Sequence, residues 1–147
     1  MDDVRDLFAA RRARGAVPHI VDDELALRAQ RLAPRTARHW VMHTVAVEGV
    51  VGSSNQVIEL LTGELVSNAV QHGPAGGDLR IGVRVDGAMV RVSVRDEGAD
   101  QPRLAHPDVT ASSGRGLVLV EALSSTWGTI AHPDGGKTVW FEVDTAP

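Results

Sequence analysis

Glu64-Leu65-Val66-Ser67-Asn68-Ala69-Val70-Gln71-His72-Gly73 is the stretch whose reading decides the fold. Read as a helix, it sets Glu64, Ser67, Asn68, Gln71 and His72 at i, i+3, i+4, i+7 and i+8, one continuous polar stripe. Around that stripe the segment is apolar, through Val57, Ile58, Leu60, Leu61, Leu65, Val66, Ala69 and Val70. A helix apolar nearly all round is buried, and a polar stripe on it must find hydrogen-bond partners or cost stability. A solvated face is the plain reading of such a stripe. Against it stands the charge pattern: from Trp40 to Leu79 there is no Lys or Arg, whereas solvent faces of helices usually carry charged side chains of both signs. One carboxylate and one carboxamide a turn apart suit a general base beside an oxygen-type metal ligand. Mg²⁺ takes such ligands, with phosphates and water completing its shell.

Outward from this helix the chain is well punctuated. Gly73-Pro74 stops it, and Ser53 or Ser54 is expected to cap its start. Upstream, residues 35–47 show helical periodicity behind Pro34, which suits a helix start, and residues 24–30 read as a short strand. Downstream the period changes to two. Leu79, Ile81, Val83 and Val85 alternate with polar residues, Asp86-Gly87 signals a hairpin, and Val90, Val92 and Val94 alternate in turn. Residues 97–113 form a polar loop, longer than most connections in a domain and therefore functional or mobile. Residues 116–123 read as a helix. Thr126–Ala131 and residues 137–143 read as a second hairpin around Pro133-Asp134-Gly135-Gly136. The order predicts an α+β two-layer sandwich, a mostly antiparallel sheet with helices on one face. Residues 1–20 read as a polar extension with a short helix over 4–14, and 21–147 as one domain.

The 147 residues suffice for one domain with a real core. A composition of 43% hydrophobic and 23% charged residues is that of an ordinary globular protein. A formal charge of −4 argues against nonspecific nucleic-acid binding. Arginines concentrate between Arg5 and Arg38, a solvated basic tail or a surface for an acidic partner. Without Cys there is neither disulfide framework nor thiolate chemistry. No apolar run reaches membrane-spanning length and no signal-peptide core opens the chain, so a cytoplasmic protein is expected.

Three other places can carry chemistry. Asp96 continues the register of Val90, Val92 and Val94, so its carboxylate is expected to point toward the core side, where it needs a donor. Gly98 follows where backbone can approach a flat ligand, although Asp and Gly are also common turn residues. Gly114-Arg115-Gly116 opens the expected helix at 116–123, where backbone N–H groups bind phosphate and Arg115 adds charge; a hinge before a helix is the alternative. Gly135-Gly136-Lys137-Thr138 looks like the end of a P-loop but fails the pattern, because Ala131 stands where Gly is required and a strand follows. His39 and His43 lack the Glu of a zinc-protease helix; Trp40 occupies that place.

Glu64 to Gly73, then Asp96-Glu97-Gly98, then Gly114-Arg115-Gly116-Leu117-Val118-Leu119-Val120, then Gly136-Lys137-Thr138-Val139-Trp140-Phe141, together resemble the ATPase superfamily of gyrase, histidine kinases and mismatch-repair proteins, which share the Bergerat ATP-binding fold. The likeness spans residues 25–144. It is nearest to the small anti-sigma-factor serine/threonine kinases. Each motif is weak; four in order at suitable spacing are specific. The resemblance implies ATP and Mg²⁺ as cofactors. It implies Asn68 as the Mg²⁺ ligand, Glu64 as general base on the attacking hydroxyl and Asp96 as acceptor of the adenine amine. Gly98 would pass the adenine, residues 97–113 would form the lid, Gly114, Arg115 and Gly116 would meet the phosphates, and Thr138 would support adenine. Phosphoryl transfer needs mainly positioning and charge neutralisation.

The implied function is phosphorylation of Ser or Thr on an antagonist protein, with control of a sigma factor by partner exchange and, in the family, a homodimer. Two departures predict a weaker nucleotide grip or slower turnover. Asp100 replaces the second glycine of the usual Asp-x-Gly-x-Gly, and Gln71 stands where many relatives carry Lys or Arg. They favour the alternative, a non-catalytic, nucleotide-gated protein-binding module of the same fold.

Overall fold

The computed structural model describes residues 20–98 and 112–147. The expected 4–14 helix, nearly all of the extension, most of the lid and Asp100 lie outside these residues. Among the described residues, five strands and three helices follow in the order β1 (Ile20–Arg28), α1 (Ala33–Val47), α2 (Ser53–His72), β2 (Asp78–Asp86), β3 (Met89–Asp96), α3 (Ser112–Leu123), β4 (Thr126–Ala131) and β5 (Lys137–Asp144). The strands form one sheet, β1-β2-β3-β5-β4, in which every neighbouring pair is antiparallel. Helices α1 and α2 pack on each other and on the central strands, and α3 packs on α2. This is the expected two-layer α+β sandwich.

Alternation in the strands builds the inner layer. Leu79, Ile81, Val83 and Val85 of β2, Val90, Val92 and Val94 of β3, and Val139, Phe141 and Val143 of β5 are all buried. They meet Val41 and Val45 of α1, Ile58, Leu61, Leu65 and Val66 of α2, and Leu117 and Val120 of α3. Each such side chain contributes about 1.5–3 kcal/mol by leaving water. The opposite face carries charge. Arg84 pairs with Asp22 at 3.5 Å, Arg80 with Glu24 at 2.9 Å and Arg91 with Glu142 at 3.4 Å, while the Arg91 guanidinium lies 4.2 Å over the Trp140 ring.

Several boundaries moved for identifiable reasons. β1 begins at Ile20, earlier than the expected 24, because its acidic residues pair across the edge with Arg80 and Arg84. Helix α2 has no serine cap: Gly52, at φ 69°, holds the N-cap position and no side chain caps it. The connection from α1 is secured instead by buried Asn55, whose Nδ2 donates to the carbonyls of Met42 at 3.1 Å and Val50 at 2.9 Å. Pro34 lies in the first turn of α1, and Gly73 closes α2 by donating to the Ala69 carbonyl. The β2–β3 hairpin turns through Gly87-Ala88, with Gly87 at φ 59°, the positive φ that two-residue hairpin turns require.

Candidate functional site

Helix α2 turns its apolar side to the sheet and leaves its polar stripe along the flank. Glu64, Ser67 and Asn68 are half-buried, and Gln71 and His72 are exposed at the C-terminal end. The stripe is therefore graded rather than fully buried. Among the described residues, Glu64 and Asn68 form no side-chain hydrogen bond or ion pair, so both remain available. Next to Glu64, Gly63 makes room for Arg38 of α1, whose Cδ would lie 2.7 Å from a Cβ placed there.

The C-terminal end of α2 meets the end of β3. Asp96 is 3% exposed and faces the helix layer. Its donors come from the chain itself. The Gly98 N–H donates to Oδ1 at 2.6 Å, and the Lys137 ammonium lies 3.7 Å from Oδ2. Two glycine backbones close on this carboxyl. A Cβ at Gly98 would sit 2.9 Å from Asp96 Oδ1 and 3.3 Å from the Gly73 Cα, and one at Gly73 would sit 3.6 Å from the Asp96 carboxyl carbon. At 1.5 Å rise per residue, Asn68 and Glu64 lie roughly 7 and 13 Å back along α2 from Gly73. A buried acceptor thus stands at one end of the helix flank, with a carboxamide and a carboxylate ranged along it.

The structure does not bring Thr138 to this group. Its register partner is Arg95 on the outer sheet face, and its Oγ1 lies 2.7 Å from His132 Nε2. Lys137, paired in register with Asp96 and 5% exposed, occupies the inward place. The alternation of Val139, Phe141 and Val143 extrapolates inward to 137 and outward to 138, which places Lys137 and not Thr138 on the helix side. Gly114-Arg115-Gly116 also differs from expectation. The helix starts at Ser112, so the motif lies within its first turns rather than ahead of it. Docking of Leu117 and Val120 offsets the helix cost of glycine, about 1 kcal/mol each.

A groove of about 820 Å³ opens on the other face of the sheet, lined by Glu24, Arg80, Ser93, Arg95, Thr138 and neighbouring residues. It reaches Asp96, Glu97 and Gly136 at one end but holds neither Glu64 nor Asn68, so it is separate from the polar flank of α2. At its rim, Asp134 accepts from the Gly136 N–H and pairs with Arg95 at 2.8 Å. The Gly136 hydrogen bond, chiefly, holds this carboxyl below its ordinary value against the opposing effect of desolvation, helped by the nearby charges of Arg95 and His132.

The family model of the histidine kinase-like ATPase domain matches residues 27–143. The chain belongs to this family. Among solved structures, this ATPase domain is similar to the RsbU and RsbW domains of Rv1364c from Mycobacterium tuberculosis, with 27% identity and a TM-score of 0.66 over 86% of the chain. It spans only 33% of that longer chain. The catalytic domain of the histidine kinase ThkA shares the fold at 17% identity and TM-score 0.50, over 85% of this chain and 99% of that one. The Acinetobacter baumannii histidine kinase AdeS shares it at 13% identity and TM-score 0.50, over 97% and 76%. No curated protein matches the sequence significantly. Family membership makes this an ATPase- or kinase-type domain built to bind ATP. Among the described residues no helix is long and apolar enough to cross a membrane.

Proposed function

We propose that the chain binds ATP with Mg²⁺ and transfers the γ-phosphoryl group to a Ser or Thr hydroxyl of an antagonist protein, controlling a sigma factor by partner exchange. The observation that carries this reading is the buried Asp96 carboxyl, flanked by Gly73 and Gly98, at the end of a helix whose flank carries Asn68 and Glu64. Adenine would lie against Gly98 with its amine on Asp96. Among the described residues no cluster of three or more His, Asp or Glu side chains is placed to hold a metal ion. The amide oxygen of Asn68 suits a cation that arrives with phosphates and takes few ligands from the protein. Mg²⁺ would supply charge neutralisation on the phosphates.

Glu64 would take the proton as the substrate oxygen forms its bond to the γ-phosphorus and the bond to the bridging oxygen breaks, releasing ADP. Gly114, Arg115 and Gly116, in the first turns of α3, would meet the phosphates. The partners rest on the resemblance to anti-sigma-factor serine kinases, and the domain limits 21–147 and a homodimer belong to the same proposal. A second reading, a nucleotide-gated binding module without transfer, is favoured by the exposed Gln71 in place of a cation at the helix end.

Pull-down from a lysate with and without ATP, followed by phosphosite mapping, tests the proposal. A retained protein phosphorylated on Ser or Thr by the wild-type chain and not by Glu64→Ala supports transfer. ATP-dependent retention without phosphorylation favours the binding module. Retention indifferent to ATP and without phosphorylation contradicts both.

A further inference from the structure

We propose that Lys137 reads the nucleotide base: its ammonium donates to the ring nitrogen N1 of adenine while Asp96 accepts from the adjacent exocyclic amine. The inference rests on the ATP reading above and assigns a role to a residue that the sequence motifs passed over.

Lysine is almost never fully buried without a partner. Lys137 is 5% exposed on the inner face of β5, in register with Asp96. Its Nζ stands 3.7 Å from Asp96 Oδ2, beyond direct hydrogen-bond length. The pair is close enough to compensate charge, yet neither group is seated on the other. Asp96 Oδ1 is already taken by the Gly98 N–H, so Oδ2 is the oxygen left for a ligand. An ammonium has three donors and no acceptor, and a carboxylate only accepts. Side by side they present one donor and one acceptor, complementary to the acceptor N1 and donor amine that sit together on the edge of adenine. Guanine in the same pose reverses both groups, setting donor against donor and acceptor against acceptor. Thr138, the motif's candidate for this contact, is on the far side of the sheet, bonded to His132. The rival role for Lys137 is to neutralise Asp96 alone and to be displaced when the base enters.

Binding is measured by calorimetry for ATP, 1-deaza-ATP, which lacks the N1 acceptor, and nebularine triphosphate, which lacks the amine, on wild type and Lys137→Met. Wild type should bind each analogue about ten-fold or more weakly than ATP, the scale for a hydrogen bond to a charged group. Lys137→Met should no longer distinguish 1-deaza-ATP from ATP while still rejecting the nebularine nucleotide. Equal binding of ATP and 1-deaza-ATP by wild type overturns the assignment and leaves the ATP reading standing. So does Lys137→Met binding ATP more tightly than wild type, which would mean that the lysine competes with the base. No binding of ATP by wild type sinks both readings. If Lys137→Met does not fold, the wild-type comparison alone decides.

Discussion

Removing one member of the Asp96–Lys137 pair should cost more stability than removing both. The two side chains are 3% and 6% exposed and 3.7 Å apart. At an effective dielectric near 20 their gross attraction is about 4 kcal/mol, with little solvent to screen it. Lys137→Met leaves the carboxylate buried without its cation, and Asp96→Leu strands the ammonium; each should destabilise by about 3–5 kcal/mol. In the double variant no uncompensated charge remains. Its main debt is the Gly98 N–H, which loses the acceptor it holds at 2.6 Å, a loss of about 1–3 kcal/mol. Urea unfolding without nucleotide, followed by circular dichroism and tryptophan fluorescence, measures the cycle. Either single variant should lower the midpoint by on the order of 2 M urea, and the double variant should recover part of that. If the double variant loses the sum of the two single losses, the residues do not interact and the reasoning fails.

Four further outcomes follow. Glu64→Ala should bind ATP within about two-fold of wild type, since a lost uniform contact of 0.4 kcal/mol or so is that small, yet abolish phosphate transfer; persistent labelling of the substrate would remove Glu64 as base. Gly98→Ala sets a Cβ 2.9 Å from Asp96 Oδ1 against the rigid Gly73 backbone, so it should weaken ATP binding and cost about 1–3 kcal/mol of stability, read by calorimetry and thermal melting. Gly128→Ala places a Cβ 2.8 Å from the Trp140 ring on the outer face; it should shift tryptophan emission and leave ATP affinity unchanged. Asp134, whose carboxyl is held below the ordinary 3.8 chiefly by the Gly136 N–H, contributes stability that is present above that value and lost as pH falls through its lower folded value. Asp134→Asn should remove this acid sensitivity of the β4–β5 hairpin, followed by NMR between neutral and strongly acidic pH.

Most of the fold was legible because its core strands alternate cleanly. Leu79 to Val85, Val90 to Val94 and Val139 to Val143 each declare a buried face, and Asp86-Gly87 and Gly73-Pro74 mark a turn and a helix stop. The start of β1 was not legible, since Asp22 and Glu24 owe their strand conformation to Arg84 and Arg80, more than fifty residues away. Nor was the cap of α2, where Gly52 and the long-range bonds of Asn55 do what a serine was expected to do. At the candidate site, the inward course of Asp96 followed from period two, and the same rule would have found Lys137 had it been carried one strand further. The graded burial of the α2 stripe depends on what packs on either side of the helix, which no local pattern encodes.

Calorimetric titration of ATP with Mg²⁺ into wild type, Asp96→Asn and Asn68→Ala tests the central claim most directly. The account predicts one site on the folded wild-type chain, weakened in Asp96→Asn by about 1–3 kcal/mol, with Asn68→Ala losing the enhancement that Mg²⁺ gives. Absence of ATP binding, or binding that neither substitution alters, would contradict it.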